Sequence, residues 1–534
     1  MLLVQYNRHH TSAAKMKLSL GYSLFYTTLL FPQLKHSLTN FLVTAASSCA
    51  PDPLEYNEEV GMMVEKVGSV PTNTTAAWSY NMDVADNFDE EGLLFFLDQA
   101  QGRIYSYSED SAVTKVWDMA EDEIPSGLDL SWSLFGPAQR FKVHSMSQGS
   151  KPAEVYVVFS STSLPTGWTE PDAPLPAPDK YYGYVCHSPA NNKTAVFVRD
   201  LYRMGVLPDC FDSGAGTKTV SVYDVFYKFN YDSSTNLLSN PDPFFVIENQ
   251  LSPGHLGGGI ATLNSGQILY STGDCLPFGF DGGYAAQDDN ESCGKILKIN
   301  PKIKGSYKIV AKGVRNLQQM RIQRRPTGAN GKNRDVLVFM DIGGVTAEEV
   351  NKIKVSQIAN TKTIDNFGWG RSYSDGKARE GTFYIAPGSG GNLGGDPACE
   401  GPAPVPEEGF INPWIQFGRT ATDFFYAISG FAVSKKSFNK LKLFWTEFNT
   451  GLVLGTMEVA KQSTGPSKGY KIKLYDTNMT ELEGGFNDLV KEELGEVFYY
   501  RGDPRPFHYP DGTAGVFIER TGVFYKLTEI DLGA

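Results

Sequence analysis

Short β-rich runs recur along this chain at close intervals, and this feature constrains its fold more than any other. Several runs follow Gly or Asn, which favour turns, and few stretches keep a helical period for more than about ten residues. The 54 Gly and 30 Pro suit an architecture with many tight turns. The pattern therefore predicts an all-β fold with long loop insertions. The runs are residues 93–97, 155–159, 220–229, 267–270, 295–299, 336–340, 441–448, 453–457, 497–500 and 523–527.

Helical segments are predicted in only two short places, residues 347–353 and 479–483. A chain of 534 residues would hold three or four domains of about 150 residues, but all-β propellers and barrels reach such lengths as single domains. No low-complexity linker interrupts residues 90–530. We therefore expect one large domain there, preceded by an N-terminal extension at residues 49–89.

The net charge is strongly negative. The chain has 48 Lys and Arg against 60 Asp and Glu, which gives a formal net charge of −12. A surface this acidic repels phosphate backbones, so the composition argues against nucleic acid as a partner.

The N-terminus has the pattern of a targeting segment. After Met16 and Lys17 comes an apolar run at residues 18–31, and small residues occupy positions 45–48. The run is short for a membrane span and suits the apolar region of a signal peptide. We predict a signal peptide or leader over residues 1–48, a secreted protein and no membrane span in the mature chain, with a signal anchor as the alternative.

Cysteines and sequons agree with secretion. Six cysteines without a CxxC pair suit disulfides better than a zinc site, although six cysteines permit many connectivities. The local pairs are Cys275 with Cys293 and Cys186 with Cys210, which leaves Cys49 and Cys399. Four sequons are candidates for glycosylation, at Asn73, Asn192, Asn290 and Asn478.

One histidine lies in an unusually glycine-rich turn. His255 is followed closely by three glycines and a predicted strand region, and Asp274 comes just after the end of that region. Glycines let the backbone approach a flat ligand, and an Asp beside an imidazole fixes its tautomer and raises its basicity. The two residues are a candidate general base and its partner. A structural or solvated loop histidine is the alternative.

Two further loops carry groups suited to a ligand. Arg315 and Asn316 present a guanidinium fork and an amide to a carboxylate or quinone oxygen, with a surface salt bridge as the alternative. Gly343 and Gly344 follow a strongly apolar strand and expose carbonyl oxygens, which calcium accepts as ligands. The alternative for this loop is a helix N-terminus stabilised by the two glutamates that follow.

The order of these motifs resembles the glucose/sorbosone dehydrogenase family, most closely its Hedgehog-interacting-protein-like branch. The resemblance runs from about residue 102 to residue 527 and is dense between residues 250 and 375. Its six motifs are His-x-Gly-Gly at His255, Gly-Asp at Gly273, Gly-Lys-Ile-Leu-x-Ile at Gly294, Gly-x-Arg-Asn at Gly313, Asp-x-Gly-x4-Glu-Glu-Val at Asp341 and Asn-Phe-Gly-Trp-Gly at Asn366.

The resemblance implies a six-bladed β-propeller with a site at one mouth of its central channel. It also implies a quinoprotein oxidoreductase with pyrroloquinoline quinone and calcium as cofactors, a sugar or alcohol as substrate and an external electron acceptor. The implied site residues are His255 as general base, Asp274 as its orienting carboxylate, Arg315 and Asn316 as quinone contacts, and the Gly343 and Gly344 carbonyls as calcium ligands.

The chain departs from the family at cationic positions. Soluble glucose dehydrogenases balance the carboxylates of the cofactor with a Lys and two Arg, where this chain has Asn449, Gly485 and Asn487. Each charged hydrogen bond that is lost costs about 1.5 to 3 kcal/mol when nothing compensates.

These departures leave a second function open. If the cofactor is retained, Arg315, Lys312 or Arg371 has to supply the missing positive charge. If it is not, the chain is a non-catalytic extracellular β-propeller that binds a protein or a glycan.

Overall fold

A computed structural model gives the fold of the chain. It describes residues 55–71, 82–85, 94–99, 101–108, 111–130, 133–134, 142–149, 151, 153–169, 183–188, 193–197, 218–220, 222–249, 255, 257–274, 285–323, 335–343, 347–360, 363–371, 378–380, 383–385, 410–411, 413–418, 428–433, 443–447, 451, 453–456, 468–495, 502–509 and 511–532. These residues are dominated by β-strands, as the sequence predicts.

The N-terminal half of the described chain contributes thirteen strands. The first is β1 (Glu55–Ser69). One sheet holds β2 (Met82–Ala85), β3 (Leu94–Asp98), β4 (Arg103–Ser108) and β5 (Ser111–Asp118). A small outer sheet holds β6 (Ser133–Leu134), β9 (Gly183–Ser188), β10 (Lys193–Phe197) and β11 (Lys218–Val220). Another sheet holds β7 (Val143–Gln148), β8 (Glu154–Ser161), β12 (Val222–Asp232) and β13 (Leu237–Asn249).

The next part of the chain forms three sheets. The first holds β14 (Gly257–Thr262), β15 (Ile268–Thr272), β16 (Lys295–Ile299), β17 (Tyr307–Lys312) and β21 (Asp365–Asn366). The second holds β18 (Gln319–Gln323), β19 (Val336–Asp341), β20 (Ala347–Lys354) and β25 (Ile415–Gly418). The third is a small sheet of β22 (Gly370–Arg371), β23 (Ala378–Glu380) and β24 (Phe383–Ile385).

The last sheet has eight strands and includes β1. Its other members are β26 (Ile428–Val433), β27 (Leu443–Glu447), β28 (Val453–Thr456), β29 (Lys468–Tyr475), β30 (Pro504–His508), β31 (Ala514–Ile518) and β32 (Val523–Ile530). The described helices are α1 (Val355–Asn360), α2 (Phe486–Leu494) and a 3-10 turn at Ala285–Gln287.

The first strands of the large sheets form a closed ring, which is a β-propeller arrangement. Contacts run from β2 to β7, β14, β18, β26 and β30, and from β30 back to β2. These six strands belong to five sheets, so the propeller has five blades and the prediction of six is wrong. The difference arises because β26–β29 and β30–β32 with β1 are hydrogen-bonded into the single eight-stranded sheet.

The segment predicted to be an N-terminal extension takes part in the propeller. β1 pairs antiparallel with β32, which places Val64 opposite Leu527. It also pairs parallel with β29, which places Val60 opposite Ile472. β1 therefore joins the two halves of the eight-stranded sheet, and the propeller begins before residue 90.

The continuous apolar runs of the sequence form strands that are buried on both faces. Every residue of β3 and of β19 is buried. Between two sheets, the ring of Phe96 lies 4.8 Å from that of Phe524 and 4.9 Å from that of Phe517, measured between centroids. Because each blade is packed between its neighbours, neither face of an inner strand needs polar residues.

Two helix predictions are wrong. Residues 347–353 form most of β20, which pairs with β19 and β25. Glu348 and Glu349 are buried in that sheet instead of lying at an exposed helix start. Residues 479–483 are not helical, and the helix of this region is α2, whose Phe486 and Val490 pack into the core.

No helix among the described residues is long and apolar enough to span a membrane. The predicted leader at residues 1–48 lies outside the described residues. Cys293 is disulfide-bonded. Its predicted partner Cys275 lies outside the described residues, so that pairing stays a prediction.

Candidate active site

Four loops at strand ends bring the candidate residues to one edge of two neighbouring sheets. His255 precedes β14 and Asp274 follows β15, and the two strands are antiparallel with Gly257 opposite Thr272. Arg315 lies between β17 and β18. Gly343 follows β19, whose Met340 is opposite Gln319 at the start of β18. The antiparallel order therefore places all of these residues at the same mouth of the ring.

His255 is held between a carboxylate and a guanidinium. Its Nδ1 lies 2.8 Å from Oδ1 of Asp274, and its Nε2 lies 2.8 Å from Nη2 of Arg315. A guanidinium can only donate hydrogen bonds, so Nε2 accepts and carries no proton. The proton of the imidazole is then on Nδ1, where it is donated to Asp274. This is the tautomer that a general base acting through Nε2 requires.

Asp274 is fixed from two further directions. The indole Nε1 of Trp369 donates to Oδ2 of Asp274 at 2.8 Å. The backbone N–H of Asp274 donates to the carbonyl oxygen of Arg315 at 2.7 Å. The side chain of Asp274 is buried completely, whereas that of His255 is 20% exposed. The carboxylate is thus fixed in the interior, and the imidazole is the part of the pair that solvent reaches.

Trp369 is a site residue that is evident in the sequence only as part of a motif. Its ring lies 5.2 Å from the guanidinium carbon of Arg315, a distance that permits a cation–π contact. Gln287 donates from Nε2 to the carbonyl oxygen of Trp369 at 2.6 Å, and Trp369 packs on Ala286. Trp369 therefore links Asp274 and Arg315 to the 3-10 turn at Ala285–Gln287.

A buried lysine supports this turn. Lys295 is fully buried, and its ammonium donates to the carbonyl oxygens of Ala285, Ala286 and Cys293. The three carbonyl oxygens offset part of the cost of burying this group, and burial lowers the pKa of Lys295 to about 7. In the sequence, Lys295 is evident only as part of the Gly-Lys-Ile-Leu-x-Ile motif.

The guanidinium of Arg315 also contacts the predicted calcium loop. Its Nη1 donates to the carbonyl oxygens of Ile342 at 2.8 Å and Gly343 at 2.7 Å. The backbone N–H of Gly343 donates to a carboxylate oxygen of the buried Glu348 at 3.1 Å. Arg315 is only 6% exposed, so it is not the surface salt bridge weighed as an alternative.

Asp341 anchors the backbone of the Arg315 loop. Its carboxylate accepts the backbone N–H of Arg315 at 2.8 Å and that of Asn316 at 2.8 Å. Burial raises the pKa of Asp341 to about 7, and the two backbone hydrogen bonds and the charge of Arg315 act in the opposite direction. In the sequence, Asp341 is evident only as the start of a motif.

Asn316 and the glycines after His255 set the path of the backbone. The side-chain oxygen of Asn316 accepts the N–H of Gly257 at 3.2 Å. Gly257 has a φ of 66°, and a Cβ there would lie 2.6 Å from the backbone of Ser271. A glycine is therefore required for β14 to approach β15 and bring His255 toward Asp274.

Other predicted residues are not brought to this mouth by the described contacts. The ammonium of Lys312 binds the carbonyl oxygen of Gln287 and the carboxylate of Asp289. Gly485 caps α2 and Asn487 is buried within it. Gly344 and Asn449 lie outside the described part of the structure, and so does the side chain of Arg371.

The donor chemistry of the Gly343 loop fits a hard cation. Two carbonyl oxygens, from Ile342 and Gly343, converge on one cationic nitrogen, and calcium binds carbonyl oxygens. The described residues contain no cluster of three or more His, Cys, Asp or Glu that could hold a metal. A calcium ion at this mouth would therefore rely on carbonyl oxygens.

No protein-family model matches the chain, and no curated protein matches it. Its structural neighbours include sugar dehydrogenases at low sequence identity. The PQQ-bound aldose sugar dehydrogenase of Streptomyces coelicolor is 14% identical, with 88% of this chain and 98% of that chain covered and a TM-score of 0.45. The PQQ domain of pyranose dehydrogenase from Coprinopsis cinerea is 10% identical, with 90% and 99% covered and a TM-score of 0.45. The apo form of the soluble aldose sugar dehydrogenase of Escherichia coli is 13% identical, with 84% and 99% covered and a TM-score of 0.42.

Proposed function

We propose that the protein is a quinone-dependent oxidoreductase that oxidises a hydroxyl group of a sugar or alcohol. The observation that carries the proposal is the unprotonated Nε2 of His255, which a guanidinium contacts on one side while Asp274 holds the opposite ring nitrogen. The order of sequence motifs that resembles the glucose/sorbosone dehydrogenases supports the choice of reaction.

His255 and Arg315 would act directly in the proposed reaction. His255 accepts the proton of the substrate hydroxyl at Nε2, and the resulting imidazolium is stabilised by Asp274. Arg315 would contact the oxidant and stabilise negative charge that develops there. Pyrroloquinoline quinone, when bound with calcium, supplies the acceptor for the hydride that leaves the carbon as the carbonyl forms.

The remaining assignments are part of the same proposal. Asn316 would complete the quinone contacts, and the Gly343 and Gly344 carbonyls would bind the calcium. An external acceptor would take the electrons from the reduced cofactor. We also propose secretion after removal of a leader at residues 1–48 and a place in the Hedgehog-interacting-protein-like branch.

Reconstitution tests the proposal directly. Purified protein is mixed with calcium and pyrroloquinoline quinone and assayed with several aldoses and a redox dye. We expect a shift in cofactor absorbance on binding and dye reduction with at least one aldose or alcohol. The absence of both signals would remove the oxidoreductase assignment.

One observation favours a second candidate function. Lys312 is bound to Asp289 and Gln287, and Asn487 and Gly485 are uncharged, so Arg315 would face the carboxylates of the cofactor with little help. The second candidate is an extracellular propeller that binds a protein or glycan without a cofactor. Quenching of tryptophan fluorescence by added quinone discriminates the two, because this candidate predicts no quenching with or without calcium.

A further inference from the structure

We infer that Arg315 is a latch, a side chain that covers the proton acceptor of His255 until a cation takes its place on the Gly343 loop. The inference rests on the proposed function for its cation and for the role of His255. It adds a form of regulation, because binding of the cation would itself expose Nε2 of His255.

The latch depends on the shape of one planar group. Nη2 of Arg315 contacts Nε2 of His255, while Nη1 contacts the carbonyl oxygens of Ile342 and Gly343. The guanidinium is rigid, so its two ends cannot move independently. Any displacement of Nη1 from the carbonyls also moves Nη2 relative to His255.

A hard cation at the proposed site competes with Nη1 for the carbonyl oxygen of Gly343. Calcium lies about 2.3 to 2.6 Å from its oxygen ligands, and Nη1 already lies 2.7 Å from this oxygen. Like charges at this separation repel, and the repulsion is strong where burial limits screening. Cation binding at the Gly343 loop therefore drives the guanidinium away.

The surrounding contacts confine the movement to the side chain of Arg315. Asp341 holds the backbone N–H of Arg315, and Asp274 holds its carbonyl oxygen. His255 stays in place because Asp274 binds its Nδ1 and Trp369 in turn binds Asp274. Gly343 is held by Glu348. The imidazole and the carbonyls thus remain fixed while the group between them swings out, which exposes Nε2.

Diethyl pyrocarbonate tests the latch in the wild-type protein. This reagent acylates unprotonated imidazole nitrogens, and peptide mass mapping reports the rate at each histidine. We expect saturating calcium to raise the acylation rate of His255 at least about tenfold, because calcium removes the charge-assisted hydrogen bond that Arg315 donates to Nε2. The buried His144 is the internal control and stays unreactive with or without calcium.

A variant provides an independent measurement. In Arg315→Met, His255 is expected to react rapidly without calcium and to show no further response to it. Calorimetric titration with calcium should show at least about tenfold tighter binding than in the wild type, because the competing charge is gone. Lys312→Met is the matched control, since it removes a positive charge that contacts neither His255 nor Gly343 in the described residues, and its calcium affinity should be unchanged.

The outcomes separate the latch from the oxidoreductase. Equal calcium affinity in wild type and Arg315→Met, or a His255 rate that calcium does not change, overturns the latch alone. No calcium binding by either protein contradicts the latch and the proposed cation site together. If the latch responses appear but no aldose or alcohol is oxidised, the latch stands and the oxidoreductase proposal fails.

Discussion

Two His–Asp pairs lie in neighbouring sheets of this propeller, and they differ in access. In the mouth pair, His255 and Asp274, the imidazole is 20% exposed and lies 2.8 Å from the carboxylate. In the core pair, His144 and Asp224, the imidazole is 1% exposed and lies 3.5 Å from the carboxylate. The hydroxyl of Tyr270 lies between the core partners, donating to Asp224 at 2.8 Å and lying 3.0 Å from Nδ1 of His144.

The second ring nitrogen marks the difference in role. Nε2 of His255 faces a guanidinium at the mouth of the ring. Nε2 of His144 faces the backbone of Gly258, where a Cβ would lie 2.6 Å away. The same residue types therefore form a partly exposed pair at the mouth and a buried network in the core. Access and a charged neighbour decide between the two, and residue identity does not.

The largest expected effect separates the two histidines by turnover. His255→Gln should lower turnover at least about a hundredfold, as expected for the loss of a general base, and should change the free energy of unfolding by less than about 1 kcal/mol. The reconstituted quinone assay and urea denaturation measure the two quantities. His144→Gln is the matched variant and should lower stability instead. Similar turnover losses in both variants would erase the distinction.

The core pair should respond mainly in stability. Asp224→Ala removes the acceptor for Tyr270 and for Ser160, whose hydroxyl donates to Asp224 at 2.8 Å. We expect a loss of about 2 to 4 kcal/mol in the free energy of unfolding, because the buried donors are left unsatisfied. Asp289→Ala, which removes an exposed carboxylate, should cost less than about 1 kcal/mol. Comparable losses in the two variants would show that the core network contributes little.

The sequence predicts the mouth pair but gives no sign of the core pair. His255 lies among glycines whose positive φ angles and close backbone contacts are local requirements that a sequence displays. His144 and Asp224 lie within strands β7 and β12, where a polar residue resembles a solvent-facing position. Their pairing depends on the register between strands far apart in the chain, which a sequence pattern does not contain.

The same limit explains the incorrect helix at residues 347–353. Glu348 and Glu349 suggest an exposed helix start, but both are buried in β20. Glu348 binds the N–H of Gly343, and Glu349 accepts from the side-chain amide of Asn351 at 3.2 Å. Pairing of β20 with β19 and β25 overrides the local helix propensity of these residues. The all-β class was predictable because the apolar runs are repeated many times along the chain.

Trp369 allows the support of the mouth pair to be measured. Trp369→Phe removes the N–H that binds Asp274 but keeps a ring beside Arg315. We expect turnover to fall about tenfold, since one hydrogen bond to a charged acceptor is worth roughly 1.5 kcal/mol or more. Trp414→Phe is the control, because the indole nitrogen of Trp414 has no hydrogen-bond partner among the described residues. Equal effects of both variants would indicate a general packing loss.

Asp341 is a buried carboxylate that has no histidine partner among the described residues. It is expected to make the free energy of unfolding depend on pH. Burial raises the pKa of Asp341 from its ordinary value of 3.8 to about 7 in the folded protein. Between about pH 4 and pH 7 the unfolded chain therefore releases this proton while the folded protein keeps it. The unfolded state binds fewer protons in this range, so stability falls as the pH rises, with a slope of at most about 1.4 kcal/mol per pH unit.

Asp341→Asn should remove this contribution and flatten the stability profile between pH 4 and pH 7, measured by urea denaturation at steps of pH. The comparison is between slopes, because Asn also weakens the hydrogen bonds to Arg315 and Asn316 at every pH. Parallel profiles would mean that Asp341 ionises normally. Asp341 would then be, after Asp274, a second negative charge near Arg315. Its attraction for the guanidinium would hold Arg315 in place more strongly than the hydrogen bond to His255 does.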